Sequence, residues 1–263
     1  MNQIIEIQNF VYEAPLPRLA GMTRPAPPPL TLESMLHAIP KVELHCHLFG
    51  TVRHETFKQL NHRAGSPLAA EEIEGFYTRG EKPVGVLRVL RALDAQLVRS
   101  PGDLYQLTRE YLEDAAAHNV RYAEFFWNPT GTVHASGIAY PMAQGAIVRA
   151  IHDAQQEFGI TGRLIAAIDR EASPEAAVEM VEWVKAHRCD EVIGIGIDYR
   201  EVDRPPELFA RAYAEARRAG LKATAHAGEF GMPWTNVRTA LDVLQVDRID
   251  HGYTVVDQPD FAR

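Results

Sequence analysis

Short apolar runs alternate along the chain with longer stretches whose apolar residues recur every three to four positions. The short runs read as strands: "VELHCH" (42–47), "VRYAEFFW" (120–127), "GRLIAAID" (162–169), "EVIGIGID" (191–198), "KATAHAG" (222–228) and "RIDHGY" (248–253). Each is β-rich and bounded by turn formers or loops. Between them lie amphipathic stretches such as "GDLYQLTREYLEDAAAHN", "SPEAAVEMVEWVKAHR" and "PPELFARAYAEARRAG". The last two open with proline, which lacks the N–H that the first helical turn leaves unused, and the last closes on Gly220. Strands alternating with helices predict a parallel sheet buried by helices.

The N-terminal region breaks this rhythm. "TRPAPPPL" (23–30) cannot continue a helix, so residues 1–30 are expected to form an arm outside the main fold, which spans 31–263. "TLESMLHAI" follows as a short helix capped by Thr31, with Ser34 where a capping box would carry Glu. About 70 residues separate the first two strands, far more than the few residues normal for such a connection. They hold three helical segments, "HETFKQLNHRAG", "AEEIEGFYTRG" and "VGVLRVLRALDAQLV", an insertion covering 54–100.

Composition narrows the function classes. With 263 residues, 46% hydrophobic and 24% charged, the chain can bury a substantial core and reads as one large α/β domain. A formal net charge of -8 implies no general polyanion-binding surface, so no nucleic-acid partner is expected. Cys46 and Cys189 have neither a disulfide-framework count nor a C-x-x-C spacing and read as reduced thiols. The N-terminus lacks the pattern of a signal peptide, and no segment approaches the roughly 20 apolar residues of a membrane span. A soluble cytoplasmic protein is the expectation.

A doubly wound sheet and a barrel both satisfy the strand–helix alternation, and the chemistry separates them. No G-x-G-x-x-G follows the first strand and no G-x-x-x-x-G-K-[ST] occurs, which removes the main support for a nucleotide-binding sheet. Polar residues gather instead at the C-terminal ends of separate strands: His45, His47, Asp198, His226, Glu229, Asp250 and His251. Such convergence is how a (β/α)₈ barrel builds a site. Strand periodicity turns His45 and His47 to one face and Cys46 to the other. Two imidazoles on one face suit a divalent metal such as Zn²⁺, or a pair of hydrogen-bonded core histidines. Glu229, three residues after His226, reads as a solvated loop carboxylate or, beside a metal site, as a proton donor or acceptor. His251 reads as a ligand, a base or a core histidine.

Taken together, "IPKVELHCHLFGTVRHETF", "YAEFFWNP", "GIGID", "HAGE" and "RIDHGY", in this order and spacing from about residue 39 onward, resemble the adenosine deaminase branch of the metal-dependent amidohydrolases. The resemblance implies a (β/α)₈ TIM-type barrel with one Zn²⁺ at its C-terminal mouth. His45, His47 and His226 become metal ligands, and an aspartate on the eighth strand the fourth. Glu229 becomes the shuttle that protonates the purine ring nitrogen N1, and His251 the group that orients or deprotonates the attacking water. The helices of 54–100 become a lid that keeps water from the purine. The zinc site of cytidine deaminases, with its H-x-E and C-x-x-C, is absent.

Three departures qualify the implied substrate. The family usually carries an acid in H-x-H-[LI]-[DE]-G, able to bind substrate hydroxyls, where this chain has Phe49, which can only stack or pack. The family's G-I-D-L-x-G, whose second glycine admits backbone contact to the purine, reads "GIDYREVD", with Arg200 and Glu201 in that region. The chain also stops at Arg263, after the sixth strand, so about six of the eight βα units are expected, and the sequence reads as an incomplete polypeptide. The expected function is hydrolytic deamination of a 6-aminopurine, adenosine-like, with adenine or an N6-substituted adenine as the alternative and an inactive binding module as the reading from another class. Phe49, Asp198 and Trp234 are the expected substrate contacts. The expected partner is a small aminopurine, with no nucleic acid and no membrane.

Overall fold

The computed structural model describes residues 31–78 and 85–261, so the expected arm over 1–30 lies outside the described residues. The chain divides into two units, Met1–Leu36 and His37–Arg263. In the first, Thr31 opens α1 (Leu32–Ala38): its hydroxyl accepts the Ser34 N–H at 3.1 Å, and the Ser34 hydroxyl oxygen accepts the Thr31 N–H at 2.9 Å. Ser34 thus does what a capping-box glutamate would do.

The second unit is built on β1 (Lys41–His47), β2 (Val120–Trp127), β3 (Thr161–Asp169), β4 (Val192–Asp198), β5 (Lys222–Ala227) and β6 (Arg248–His251). All neighbours pair parallel in sequential order. The sheet curls: Arg248 on β6 donates to Glu124 of β2 at 2.6 Å and to the Leu44 carbonyl of β1 at 2.8 Å, reaching across the interior. The result is a nearly closed barrel of the TIM type with six strands among the described residues. The last two strands end earlier than their apolar runs, at Ala227 and His251, because Gly228 (φ +70°) and His251 (φ +79°) turn the chain out of the sheet.

The insertion folds as α2 (His54–Arg63), α3 (Ala70–Tyr77) and α4 (Val86–Ala92), with a π-helical turn over Leu93–Leu97. The barrel helices are α5 (Pro101–Ala117), α6 (Pro129–Ser136), α7 (Tyr140–Phe158), α8 (Pro174–Ala186), α9 (Ala210–Arg218) and α10 (Trp234–Thr239). Their starts follow capping chemistry. Ser100 and Asp103 form a reciprocal capping box at α5, and the Ser173 hydroxyl accepts the Ala176 N–H at 3.2 Å at α8. Pro206 begins a 3₁₀ turn through Phe209 before α9, so the predicted helix starts one turn late. No described helix is long and apolar enough to cross a membrane.

Alternation along the strands sorts the core. Ala123, Phe125 and Trp127 of β2 pack outward against the helices, while Phe126 points inward with Ile165 and Ala167 of β3. Gly196 makes that interior possible: a Cβ there would lie 2.9 Å from Phe126 Cε1. Phe126 in turn forms the floor under the histidines.

Candidate active site

β1 delivers His45 and His47 to the inner face, and Cys46 between them packs against the outer core. Burial pushes the Cys46 thiol up to about 11, which makes it an inert packing group. β5 delivers His226, buried at 3% exposure. Its Nε2 lies 3.1 Å from His45 Nε2 and 3.0 Å from His47 Nε2. All three rings sit 5.2–5.4 Å from the Phe126 ring, which fixes their tilt from below.

The opposite ring nitrogens face carboxylates. His47 Nδ1 is 3.2 Å from Asp198 Oδ2, and Asp250 lies 3.8 Å from both His45 Nδ1 and His226 Nδ1. Asp198 accepts from Asn128 Nδ2 at 2.6 Å, and Asp250 from the Thr224 hydroxyl and from Arg248 Nε at 3.0 Å. Carboxylates behind the imidazoles favour the tautomer that leaves each Nε2 lone pair facing inward.

This donor set fits a zinc ion. Tetrahedral Zn²⁺ with Zn–N distances of about 2.0–2.1 Å sets its nitrogen ligands roughly 3.3 Å apart, close to the 3.0–3.1 Å that separate His226 Nε2 from each of the other two. A single cation would satisfy all three lone pairs, which hydrogen bonds among the rings alone cannot. Desolvation lowers His45, and burial drives His226 well below the ordinary imidazole value, so both stay neutral as ligands must be. His251 adds a fourth imidazole: the nearest donor atoms of His45, His226 and His251 lie within 4.8 Å of one another. His47 reaches the cluster through its 3.0 Å contact with His226 Nε2 and does not belong to that mutually close trio, so either His47 or His251 can complete the donor set with His45 and His226.

Glu229 stands beside this cluster, with Oε2 3.3 Å from His251 Nε2. Desolvation pushes its carboxyl up to about 7, against the pull of His47, so a protonated form persists near neutrality. Desolvation lowers His251 to about 4, with the charge of His45 acting in the same direction, and its Nδ1 is 2.7 Å from the Tyr253 hydroxyl. A proton donor and a neutral base therefore flank one metal-binding cluster, an arrangement that can add water to a polar double bond.

The other expected residues sit differently. Asp198 is 1% exposed, with Oδ2 3.2 Å from His47 Nδ1 and Oδ1 accepting from Asn128, so it stands behind the His47 ring. Phe49, in a 3₁₀ turn after β1, is 3% exposed and packed into the core. Trp234 starts α10, its ring 5.1 Å from Phe261 and covered by Arg238. Three further groups stand at the site: Asn128, and a buried pair formed by Arg170 and Glu201. In the sequence Asn128 shows only as part of "YAEFFWNP" and Glu201 only as a departure from the family's G-I-D-L-x-G, whereas Arg170 carries no signal beyond its position just past the end of β3. Among the remaining histidines, His54, His134 and His152 pair with surface glutamates, as solvated residues would.

The adenosine deaminase family pattern matches residues 40–263. An adenine deaminase of Vibrio parahaemolyticus is 36% identical over 232 residues, covering 86% of this chain and 66% of its own length. A crystal structure of an amidohydrolase from Burkhoderia ambifaria with bound Zn is 64% identical, with a TM-score of 0.86, over 88% of this chain and 64% of that one. The crystal structure of an adenine deaminase from Arthrobacter aurescens is 34% identical, with a TM-score of 0.75, over 85% of this chain and 68% of that one. The chain thus spans about two thirds of the length of these relatives.

Proposed function

The chain belongs to the adenosine deaminase family, and from that premise we propose that the protein hydrolytically deaminates a 6-aminopurine, with adenine or an N6-substituted adenine preferred over the nucleoside. The observation that carries this reading is the meeting of the His45 and His47 Nε2 atoms on that of His226, with the Glu229 carboxyl beside them 3.3 Å from His251. His45, His47 and His226 would hold zinc, as the Zn-containing relative suggests. When bound, the metal acidifies water and so makes a nucleophile available near neutral pH.

The chain's own residues supply the rest. Glu229, protonated, donates to ring nitrogen N1 as water adds at C6, which keeps negative charge from building on the purine. His251, neutral, orients the water and accepts its proton. The exocyclic nitrogen takes up the proton held by His251 and leaves, as ammonia from adenine or as the alkylamine from an N6-substituted adenine, while the C6 hydroxyl returns a proton to Glu229 and the ring remains as a 6-oxopurine. Helices α2–α4 act as a cover: Arg91 of α4 donates to both oxygens of Asp169, at 2.5 and 2.7 Å, and ties the insertion to the end of β3. Phe49 leaves the position of the usual ribose-binding acid without an acceptor, and relatives named adenine deaminase support the same preference.

Release of the leaving amine by the full-length, zinc-loaded protein tests this, measured as ammonia from adenine and adenosine and as the alkylamine from N6-alkyl adenines. The base substrates should be turned over at a higher kcat/KM than adenosine. A preference for adenosine would contradict the substrate assignment, and inactivity on every member of the panel would contradict the reaction.

A further inference from the structure

Arg170 and Glu201 are the chain's most deeply buried oppositely charged pair among the described residues, at 0% and 2% exposure, with Arg170 Nη1 3.6 Å from Glu201 Oε1. The proposed chemistry of the histidine cluster and Glu229 does not use them. Burying two charges is costly unless they are paired and hydrogen-bonded, so their partners show what the pair does. Glu201 Oε2 accepts the backbone N–H of Glu229 at 3.0 Å. Its Oε1 accepts the N–H of Gly228 at 3.2 Å and the Asn236 amide at 2.7 Å. Arg170 donates to the carbonyl of His226 and, at 3.5 Å, to that of Arg204. Arg204 returns a hydrogen bond to the Arg170 carbonyl at 2.7 Å.

The turn after β5 explains why a carboxylate is needed. Gly228 has φ +70°, and a Cβ there would lie 2.6 Å from Thr254 Oγ1, so the position demands glycine. A left-handed residue at this point turns successive N–H groups toward the same side, a concavity that binds an anion. Glu201 fills it. In the family pattern this position is the second glycine of G-I-D-L-x-G, whereas here it carries a side chain that reaches across to the next strand's loop.

The geometry points to Glu201 as a positioning residue for the proton donor. Held by Arg170, its carboxylate clamps the Gly228–Glu229 backbone, so that the Glu229 carboxyl is presented to His251 and the imidazole cluster. The same pair grips the carbonyl of His226, which links one metal ligand and the proton donor to a single rigid anchor. The catalytic part of this inference rests on the reading of Glu229 as the donor; the clamp itself does not.

Glu201→Gln tests it in the full-length, zinc-loaded protein, with two readouts. Amide hydrogen exchange at Gly228 and Glu229 should accelerate by roughly ten-fold or more while the amides of β3 stay unchanged. On the best aminopurine substrate, kcat should fall about 10- to 100-fold with KM and zinc content retained. In a Glu229→Gln background the same substitution should cause no further loss, because Glu201 acts through Glu229. Unchanged exchange overturns the clamp. An equal loss of kcat in both backgrounds overturns the role in positioning the donor. If the wild type proves inactive on every aminopurine, the proposed function falls, and the exchange result still decides the clamp. Should Glu201→Gln not fold, Asn236→Ala removes one of the carboxylate's partners without stranding a charge, and faster exchange at the same two amides is the expected result.

Discussion

At the residue scale, the proposed deamination depends on where protons reside. Glu229→Gln keeps the shape of the side chain but removes the transferable proton, so steady-state kinetics should show kcat lowered by about 10²–10⁴ with zinc content unchanged. Asp250 lies behind two imidazoles at once. Asp250→Asn should therefore weaken zinc binding by about 10- to 100-fold, measured by competition with a chromogenic chelator. The H-x-H spacing, the HAGE turn and the DHG segment made the histidines and Glu229 legible in the sequence, because strand periodicity alone assigns His45 and His47 one face. Asp198 was legible as a site residue but not in its task, since only coordinates show its carboxylate turned to His47. Arg170 was not legible at all, and Glu201 only as a side chain where the family pattern has glycine: their pairing is a contact between loops 31 positions apart, which no local pattern records.

At the element scale, the π-helical turn after α4 buries Asp94 at 1% exposure, its Oδ1 accepting from the Thr132 hydroxyl at 2.7 Å. Burial pushes this carboxyl from 3.8 up to about 7, with the Thr132 hydrogen bond and Arg91 pulling the other way. Within that window the folded chain binds a proton that the unfolded chain has released, so stability falls as pH rises from about 4 to about 7. Asp94→Asn should remove this residue's share of the slope, to which the raised Glu229 carboxyl also contributes, gaining on the wild type by on the order of 4 kcal/mol between the ends of the window; urea denaturation at a series of pH values measures it. Gly131 of α6 makes room for the same side chain, since a Cβ would fall 1.8 Å from Asp94 Oδ2. Gly131→Ala should cost roughly 1–3 kcal/mol in the same assay. The amphipathic pattern and the capping residues made most helices readable in advance. The π turn over Leu93–Leu97 was not readable, because it arises where packing, here of Asp94 against α6, forces an extra residue into a helix.

At the scale of the whole molecule, six parallel strands bring donors from β1, β5 and β6 to one end of a curled sheet, and the insertion packs over the ends of its neighbours. Arg91 ties α4 down through Asp169 and stacks 3.8 Å over the Tyr199 ring. Arg91→Ala removes a charged, bidentate contact and should raise KM roughly ten-fold, as loss of a cover that retains substrate would. The alternation of strands and helices made the layer architecture legible, and the polar residues at the strand ends made the barrel the better choice over an open sheet. The curl itself was not legible, because it depends on long-range ties such as Arg248 to Glu124 and Leu44. The most direct test of the metal-centred account is an anomalous-difference map at the zinc absorption edge from crystals of the full-length protein. A single peak about 2.0–2.1 Å from Nε2 of His45, His47 and His226 is the predicted result; no peak in zinc-supplied crystals, or a peak away from those three nitrogens, would contradict it.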